Sequence, residues 1–494
     1  MMEVIGLLAP AMLGFSAVRC SGALRGLRPR WAAVVLEISL GVGVGAALAA
    51  ALFLLLLTVG AANRWVVLGT EFLAAAALAT WTLRTRKKSS DEEPGASMRA
   101  RPKWRWNAAL AGGLALALLL VTLAQVDTAQ TSPNGEFDAF AMWNARAKLL
   151  LGPGDTWQRA YSPMLIRQRP DHPLLLSSFV AQAWRAGGDA ASPAAPFGAA
   201  MLFYAGTIGI LGSALVLFRG LSSALLACLV LLANISFLQQ TTWQYADIPA
   251  GLYFLGTFVL LLTGEHVSGR SRTAALALSG AFASFAALTK NEGIPFLILT
   301  LACYGVVLWR SAGLTAAAAR LRPWLLGALP GFLLQMGFKT FLAPSGGPFA
   351  GPTASQALSN LADPGRYATV ASYYISRLLD LGAGFSHPLI LLAILAIVLR
   401  FEIDRERKPL LITFGIVLTL QLAAYAGVYL TTLDNIEWRL GTSLNRLYSQ
   451  VWPSFVLLAF LALGVPRDRE ESEAARPSPA KKRPEESRKR KKKR

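Results

Sequence analysis

The sequence predicts an all-α polytopic membrane protein, and three observations carry that prediction. Hydrophobic residues make up 54% of the 494-residue chain and charged residues only 15%, where a soluble globular chain carries roughly 25% charged. Apolar runs of the roughly 17 to 25 residues needed to cross hydrocarbon recur along almost the whole length. The connections between those runs alternate between basic and non-basic, as a bundle of fixed orientation requires.

Taken in order, the apolar runs place spans near 4–18, 31–59, 64–83, 107–126, 196–218, 221–239, 248–263, 274–288, 294–309, 323–342, 386–400, 409–430 and 447–465. The prediction is therefore about thirteen transmembrane helices. The first run has no basic segment ahead of it and is followed by arginines, so a retained span is expected and not a cleaved signal. Basic connections follow at Arg19 to Arg30, Arg84 to Arg105, Arg270 and Arg272, Arg310 to Arg322, and Arg400 to Lys408. The positive-inside rule makes each cytoplasmic, with the N-terminus outside and the C-terminal tail inside.

This divides the chain into N-terminal membrane helices (1–84), a basic cytoplasmic loop (85–106), a membrane domain (107–465) and a basic cytoplasmic tail (466–494). The tail is rich in Pro, Glu, Lys and Arg and has too few apolar residues for a core, so it is expected to be disordered. The formal net charge of +20 sits in short blocks between spans and in that tail. It reads as a topology signal, and no nucleic-acid partner is expected. Cys20, Cys228 and Cys303 lie in or beside apolar runs without ligand spacing and read as core filler.

The external side holds a large first loop, 127–195, a second long segment near 343–385, and short turns at 240–247, 289–293 and 431–446. In the first loop the pattern from Phe137 to Leu151, with Trp143 and Trp157, predicts an interfacial helix, and Pro170 to Trp184 predicts a second interfacial or re-entrant one.

Ionisable residues that topology does not explain gather on this external side. Glu136 and Asp138 open the first loop helix after Pro133-Asn134-Gly135. Either they cap that helix, or one is a general base beside Trp143, Arg146 and Lys148. Arg169-Pro170-Asp171-His172-Pro173 holds an acidic residue and an external histidine between prolines. A rigid turn that aims Asp171 is expected; a divalent metal there has only one Asp-His pair behind it. Tyr245-Ala246-Asp247-Ile248-Pro249 stands at a helix start, where an Asp can cap. Thr289-Lys290-Asn291-Glu292-Gly293 is a tight hairpin, either a local ion pair or part of a phosphate site. Arg439 and Arg446, seven residues apart, fall on nearly one helical face beside Asp434 and Glu437. External arginines oppose the topology rule, so an anionic ligand is expected for them.

Together these segments resemble the GT-C class of membrane glycosyltransferases, in particular bacterial lipopolysaccharide-core transferases, aminoarabinose transferases and protein mannosyltransferases. The resemblance spans about 105–465 and leaves the first three spans as an added block. It implies a polyprenyl-phosphate sugar donor, inversion at the anomeric carbon, and an acidic base in the first external loop, best matched by Asp138. The family often shows adjacent acids, whereas Phe137 separates Glu136 from Asp138, so the choice of base stays open. On this reading Lys290, Arg439 and Arg446 bind the donor phosphate, and Trp143, Asp171, His172, Asp247 and Glu292 position the loop and the acceptor. The acceptor would be a glycan, lipid or protein on the periplasmic face of a bacterial inner membrane.

No Gly-rich nucleotide loop is present, in keeping with a lipid donor, and no cofactor is implied. A transporter or flippase of lipid-linked sugars is the alternative from another class. It would place ionisable residues at mid-bilayer and show internal repeats. Glu37 and Glu71 are the acidic residues inside expected spans, and no repeat is evident.

Overall fold

A computed structural model of the protein describes residues 2–87, 105–188, 192–346 and 351–465. Most of the basic loop 85–106 and the whole tail 466–494 lie outside the described residues. The described residues form seventeen α-helices and no strand. The first four are α1 (Met2–Ser21), α2 (Arg30–Thr58), α3 (Arg64–Lys87) and α4 (Asn107–Thr131), and α5 (Asn144–Leu149) and α6 (Leu175–Gly187) lie within the first long loop. Next come α7 (Ala194–Phe218), α8 (Leu221–Leu232), α9 (Ile235–Thr242), α10 (Asp247–His266), α11 (Gly269–Thr289) and α12 (Gly293–Phe341). The chain closes with α13 (Ala354–Leu361), α14 (Pro364–Leu379), α15 (Pro388–Leu399), α16 (Lys408–Thr431) and α17 (Ile436–Ala462).

Among the described residues nine helices are long and apolar enough to cross a membrane, or ten if the bent pair α8 and α9 is one span. The protein is thus a membrane-embedded, multi-pass helical bundle. The distance from about thirteen has local causes. The runs at 294–309 and 323–342 belong to one 49-residue helix, α12, broken at Gly313 (φ 80°). The run at 221–239 bends by 70° between α8 and α9, where the Asn234 side chain caps α9 by accepting from the Phe237 N–H. The run at 386–400 forms only the 12-residue α15. The last run begins early, at Ile436, and so includes Glu437, Arg439 and Arg446.

The break in α12 decides which end of the bundle its tip reaches. Gly293, at its start, backs onto Ala286 near the end of α11, whereas Gly327, in its second half, sits against the Ala277 backbone. The two arms therefore flank α11 in opposite directions, and the chain reverses at Gly313, in a conformation glycine holds without strain. Glu265, at the end of α10, ties the arms together at the turn by accepting from Tyr304 Oη at 3.0 Å and Arg320 Nη2 at 2.7 Å. The far tip of α12 is thereby returned to the end of the bundle where α10 begins.

The last hairpin is fastened at both ends. Asn360 of α13 and Arg366 of α14 donate to the carbonyls of Tyr429, Leu430, Thr431 and Thr432, which satisfies the open C-terminus of α16. At the opposite end Arg407 donates to Phe218 O at 3.1 Å, and Arg219 donates to Leu463 O.

The first long loop differs from expectation in where its apolar faces go. Helix α6 packs among α1, α2, α3 and α7, with Ser177, Ser178 and Gln182 buried along with its leucines. Its apolar face is covered by these helices. Trp143 and Trp157 are likewise 0% and 5% exposed, so both rings are covered by protein. The large apolar side chains this loop leaves exposed are Phe137, Phe140, Met164 and Ile166.

Candidate functional site

The centre of the site is a carboxylate. Asp247 opens α10 and is fully buried, and it makes no helix cap, contrary to the simpler reading of its position. Its Oδ1 accepts from Lys290 Nζ at 2.8 Å and from Gln450 Nε2 at 2.7 Å, and its Oδ2 from Arg446 Nε at 3.2 Å. Lys290 follows α11 and reaches Glu292 Oε1 at 3.3 Å as well. Burial works against the Lys290 ammonium, but Asp247 and then Glu292 outweigh it, so its pKa stands above the ordinary lysine value. The local ion pair expected of the 289–293 hairpin is present, with Lys290 buried and not in a solvated turn.

Arg446 carries the network outward. Its Nη1 lies 2.6 Å from Asp138 Oδ2, and its guanidinium stacks over the Tyr245 ring, 4.4 Å from the centroid. Asp138 therefore does not cap the turn it opens; its carboxylate makes no capping hydrogen bond there. Its backbone N–H instead donates to Tyr245 Oη at 3.3 Å. Burial pushes the Tyr245 phenol up to about 12, so it stays neutral. Residues Ala139–Trp143 then form a π-helical turn, a rare conformation that often marks functional sites. Glu136 is exposed, and its backbone N–H donates to Trp243 O. The outcome is a row of alternating charge running from Asp138 through Arg446, Asp247 and Lys290 to Glu292.

A second wall comes from the loop and the tip of α12. Arg146 is 1% exposed and donates to the carbonyls of Arg169, His172 and Pro173, with Trp143 beneath it at 4.9 Å. Burial lowers its pKa to about 10, against Tyr161 and Asp171, which leaves it charged at neutral pH. The His172 ring packs edge-on against Trp143 at 5.7 Å, and its Nδ1 has no partner. Asp171 accepts from Arg169 Nε and Nη2, each at 2.9 Å. Arg169 adopts a left-handed conformation (φ 46°), costly for a non-glycine residue. Lys339, at the tip of α12, donates to the Asp171 carbonyl at 2.6 Å.

Most of the residues singled out from sequence are brought to one end of the bundle. Arg439 is set apart: it pairs with Asp434 at 2.8 Å and is one-third exposed. Seven helical residues place it about 10 Å along α17 from Arg446, so the shared face is real but the two arginines occupy a rim and a buried floor. Among the described residues no group of three His, Cys, Asp or Glu side chains is placed to hold a metal ion.

No family model, curated protein or solved structure matches the chain. The chemistry is read from the site alone. Sequence reasoning missed two of its members, and both had a signal. Gln450 is a polar residue in the apolar run 447–465, and Lys339 is a cation at the external end of the run 323–342, the same anomaly that marked Arg439 and Arg446.

Two predictions test the electrostatics. Asp247→Ala leaves Lys290 and Arg446 buried without their shared partner, and loss of one member of such a group costs about 3–5 kcal/mol. A large fall in the thermal unfolding midpoint of the purified protein is expected, with a smaller fall for Asp247→Asn; an unchanged midpoint in both would remove Asp247 from its central role.

The second concerns acid. Burial first, and then Arg169, Arg146, Lys290 and Lys339, hold His172 well below its ordinary value of 6.5. A depressed folded value means the stability is fully present above the unfolded value and is lost as pH falls through the folded one. Lowering the pH from about 7.5 to about 5 should therefore destabilise the protein, and His172→Gln should flatten that part of the profile. An identical profile in the variant would assign the acid sensitivity elsewhere.

Proposed function

We propose that the protein is an inverting glycosyltransferase that moves a sugar from a polyprenyl-phosphate donor to an acceptor glycan, lipid or protein. The observation that supports it most is the convergence of Asp138, Arg446, Asp247 and Lys290. Four separate stretches of chain contribute charged groups to one cluster at the end of an apolar bundle. A lipid donor needs apolar surface for its tail beside a polar site for its phosphate and sugar.

In the reaction, the Asp138 carboxylate takes the proton of the acceptor hydroxyl. The acceptor oxygen attacks the anomeric carbon from the side opposite the phosphate, and the bond from that carbon to the phosphate oxygen breaks. Polyprenyl phosphate leaves with the bonding electrons. Asp138 must be freed from Arg446 to act, and donor phosphate competing for that guanidinium would free it. Lys290, Arg446 and, at the rim, Arg439 are the cations assigned to the phosphate.

The charge balance adds two more. Lys290 and Arg446 are shared among Asp138, Asp247 and Glu292, so their charge is largely spoken for. Arg169 and Lys339 have Asp171 between them, and the described contact of Lys339 there is with a backbone carbonyl. That wall holds the spare positive charge, and the leaving phosphate is placed against it. The site end is taken as periplasmic in a bacterial inner membrane, with the basic end cytoplasmic.

Turnover of polyprenyl-phosphate sugars by protein in lipid nanodiscs, read by mass analysis of donor and acceptor, tests the reaction. Asp138→Asn should lower turnover about 10²–10⁴-fold, with a smaller fall in the thermal midpoint than Asp247→Ala because its ion pair with Arg446 is lost, and Lys339→Ala should lower kcat more than it raises KM. Full turnover in Asp138→Asn with loss in Glu136→Gln would give Glu136 the base role, and full turnover in both would end the proposal. A flippase would leave the glycosidic bond intact in this assay.

Orientation has its own test. A cysteine introduced at Ser132 should react with an impermeant reagent in intact cells, whereas one at Ser478 should react only after lysis. Labelling of both from outside would invert or break the topology.

A further inference from the structure

Glu71 stands within α3, 1% exposed. Its described hydrogen-bond partner is Gln182 of α6, itself 0% exposed, whose Nε2 donates to Glu71 Oε2 at 3.1 Å. The same Nε2 donates to Gly6 O of α1 at 3.3 Å. That second bond fixes which way the amide faces, because turning it over would set two carbonyl oxygens against each other. Two buried oxygens are then left without a donor, Glu71 Oε1 and Gln182 Oε1, and both belong to the same side-chain pair.

Of the cations around this junction, three have other partners and two lie turns away along α3. Arg19 of α1 and Arg30 of α2 both pair with Glu37. Arg185 of α6 donates to the Leu151 carbonyl at 3.1 Å. On α3 itself, Arg64 lies over the Trp65 ring, about two turns from Glu71, and Arg84 is nearly four turns away. Among the described side chains no ion pair reaches Glu71. A carboxylate there would be an uncompensated charge in an apolar interior, which costs several kilocalories and is normally avoided by neutralisation.

We propose that Glu71 is a proton-binding site, holding one proton taken from solvent and joining α3 to α6 as a neutral carboxylic acid paired with the Gln182 amide. The proton turns one carboxyl oxygen from an acceptor into a donor, and Gln182 Oε1 is the acceptor in the same pair that lacks one. A single proton thus satisfies both stranded oxygens. The site also has a line to the charged walls at the end of the bundle. Helix α6 starts two residues after Pro173, whose carbonyl Arg146 holds along with those of Arg169 and His172. Loss of the proton puts a bare charge between α3 and α6 and loosens the helix that leads out of that wall. The proposal rests on the geometry of this junction and not on the reaction assigned to the site.

Infrared spectroscopy of the purified protein tests it. At neutral pH the wild type should show the carbonyl band of a buried protonated carboxyl group, shifted in heavy water and absent in Glu71→Gln. On alkaline titration that band should give way to a carboxylate while the wild-type thermal midpoint falls, and Glu71→Gln should hold its midpoint over the same range. A carboxylate at Glu71 at neutral pH, or the same alkaline loss of stability in the variant, would overturn the proposal. If Glu71→Gln does not accumulate, Gln182→Met serves instead: the protonated band should persist at a higher frequency, freed of its amide partner, and an unshifted band would equally overturn it.

Discussion

The site end of this bundle depends on one buried ion, the Asp247 carboxylate. It lies where α10 begins, and its three donors come from the end of α11 and from two positions one turn apart on α17. Removing two or more charges from water is expensive, and their attraction offsets that only when every lone pair and proton has a partner. Here the requirement is met by exact placement of helices that are far apart in sequence. The ion cluster therefore sets the relative height of α10, α11 and α17 in a way that apolar contacts, which tolerate sliding, do not.

From that fixed point the rest of the site follows by short steps. Arg446 extends from Asp247 to Asp138 and so locates the start of the first long loop, while Tyr245 braces both partners. The loop is then held a second time by Arg146, which gathers three carbonyls of the 169–173 turn. The two Nη groups of this buried arginine donate to backbone oxygens of the turn, while its Nε has no partner. The consequence is a loop with two walls of different charge. One is an alternating row whose anions outnumber its cations, and the other has cations in excess of Asp171. The asymmetry leaves net positive charge on the 169–173 wall.

The N-terminal helices α1 to α3 are packed into the same body as the site. Helix α6 lies among α1, α2, α3 and α7, so the N-terminal helices form part of the support of the loop that supplies Asp138, Asp171 and His172. The polar groups of Gln182 and Glu71 at that contact give the junction directionality, since hydrogen bonds, unlike apolar packing, select one register.

What the sequence determined by itself was the class of protein and the existence of most of its elements. Hydrophobic runs of membrane length are local properties, and all the expected ones are helical here, although fewer stand as independent spans. The charge asymmetry also singled out Asp138, Asp171, His172, Asp247, Lys290, Glu292 and Arg446 before any geometry was known, because an ion in an apolar chain needs a partner wherever it lies. Tertiary structure alone decided the pairings. That Asp247 would serve Lys290, Arg446 and Gln450 at once, that Arg439 would stand apart at the rim, and that Gly313 would turn α12 back to bring Lys339 to the site all depend on contacts between distant segments. Trp143 shows the same limit from the other side: its amphipathic ring fits a membrane interface, yet it is buried against Arg146 and His172. Local pattern fixes what a residue can satisfy; only the packed bundle fixes which neighbour satisfies it.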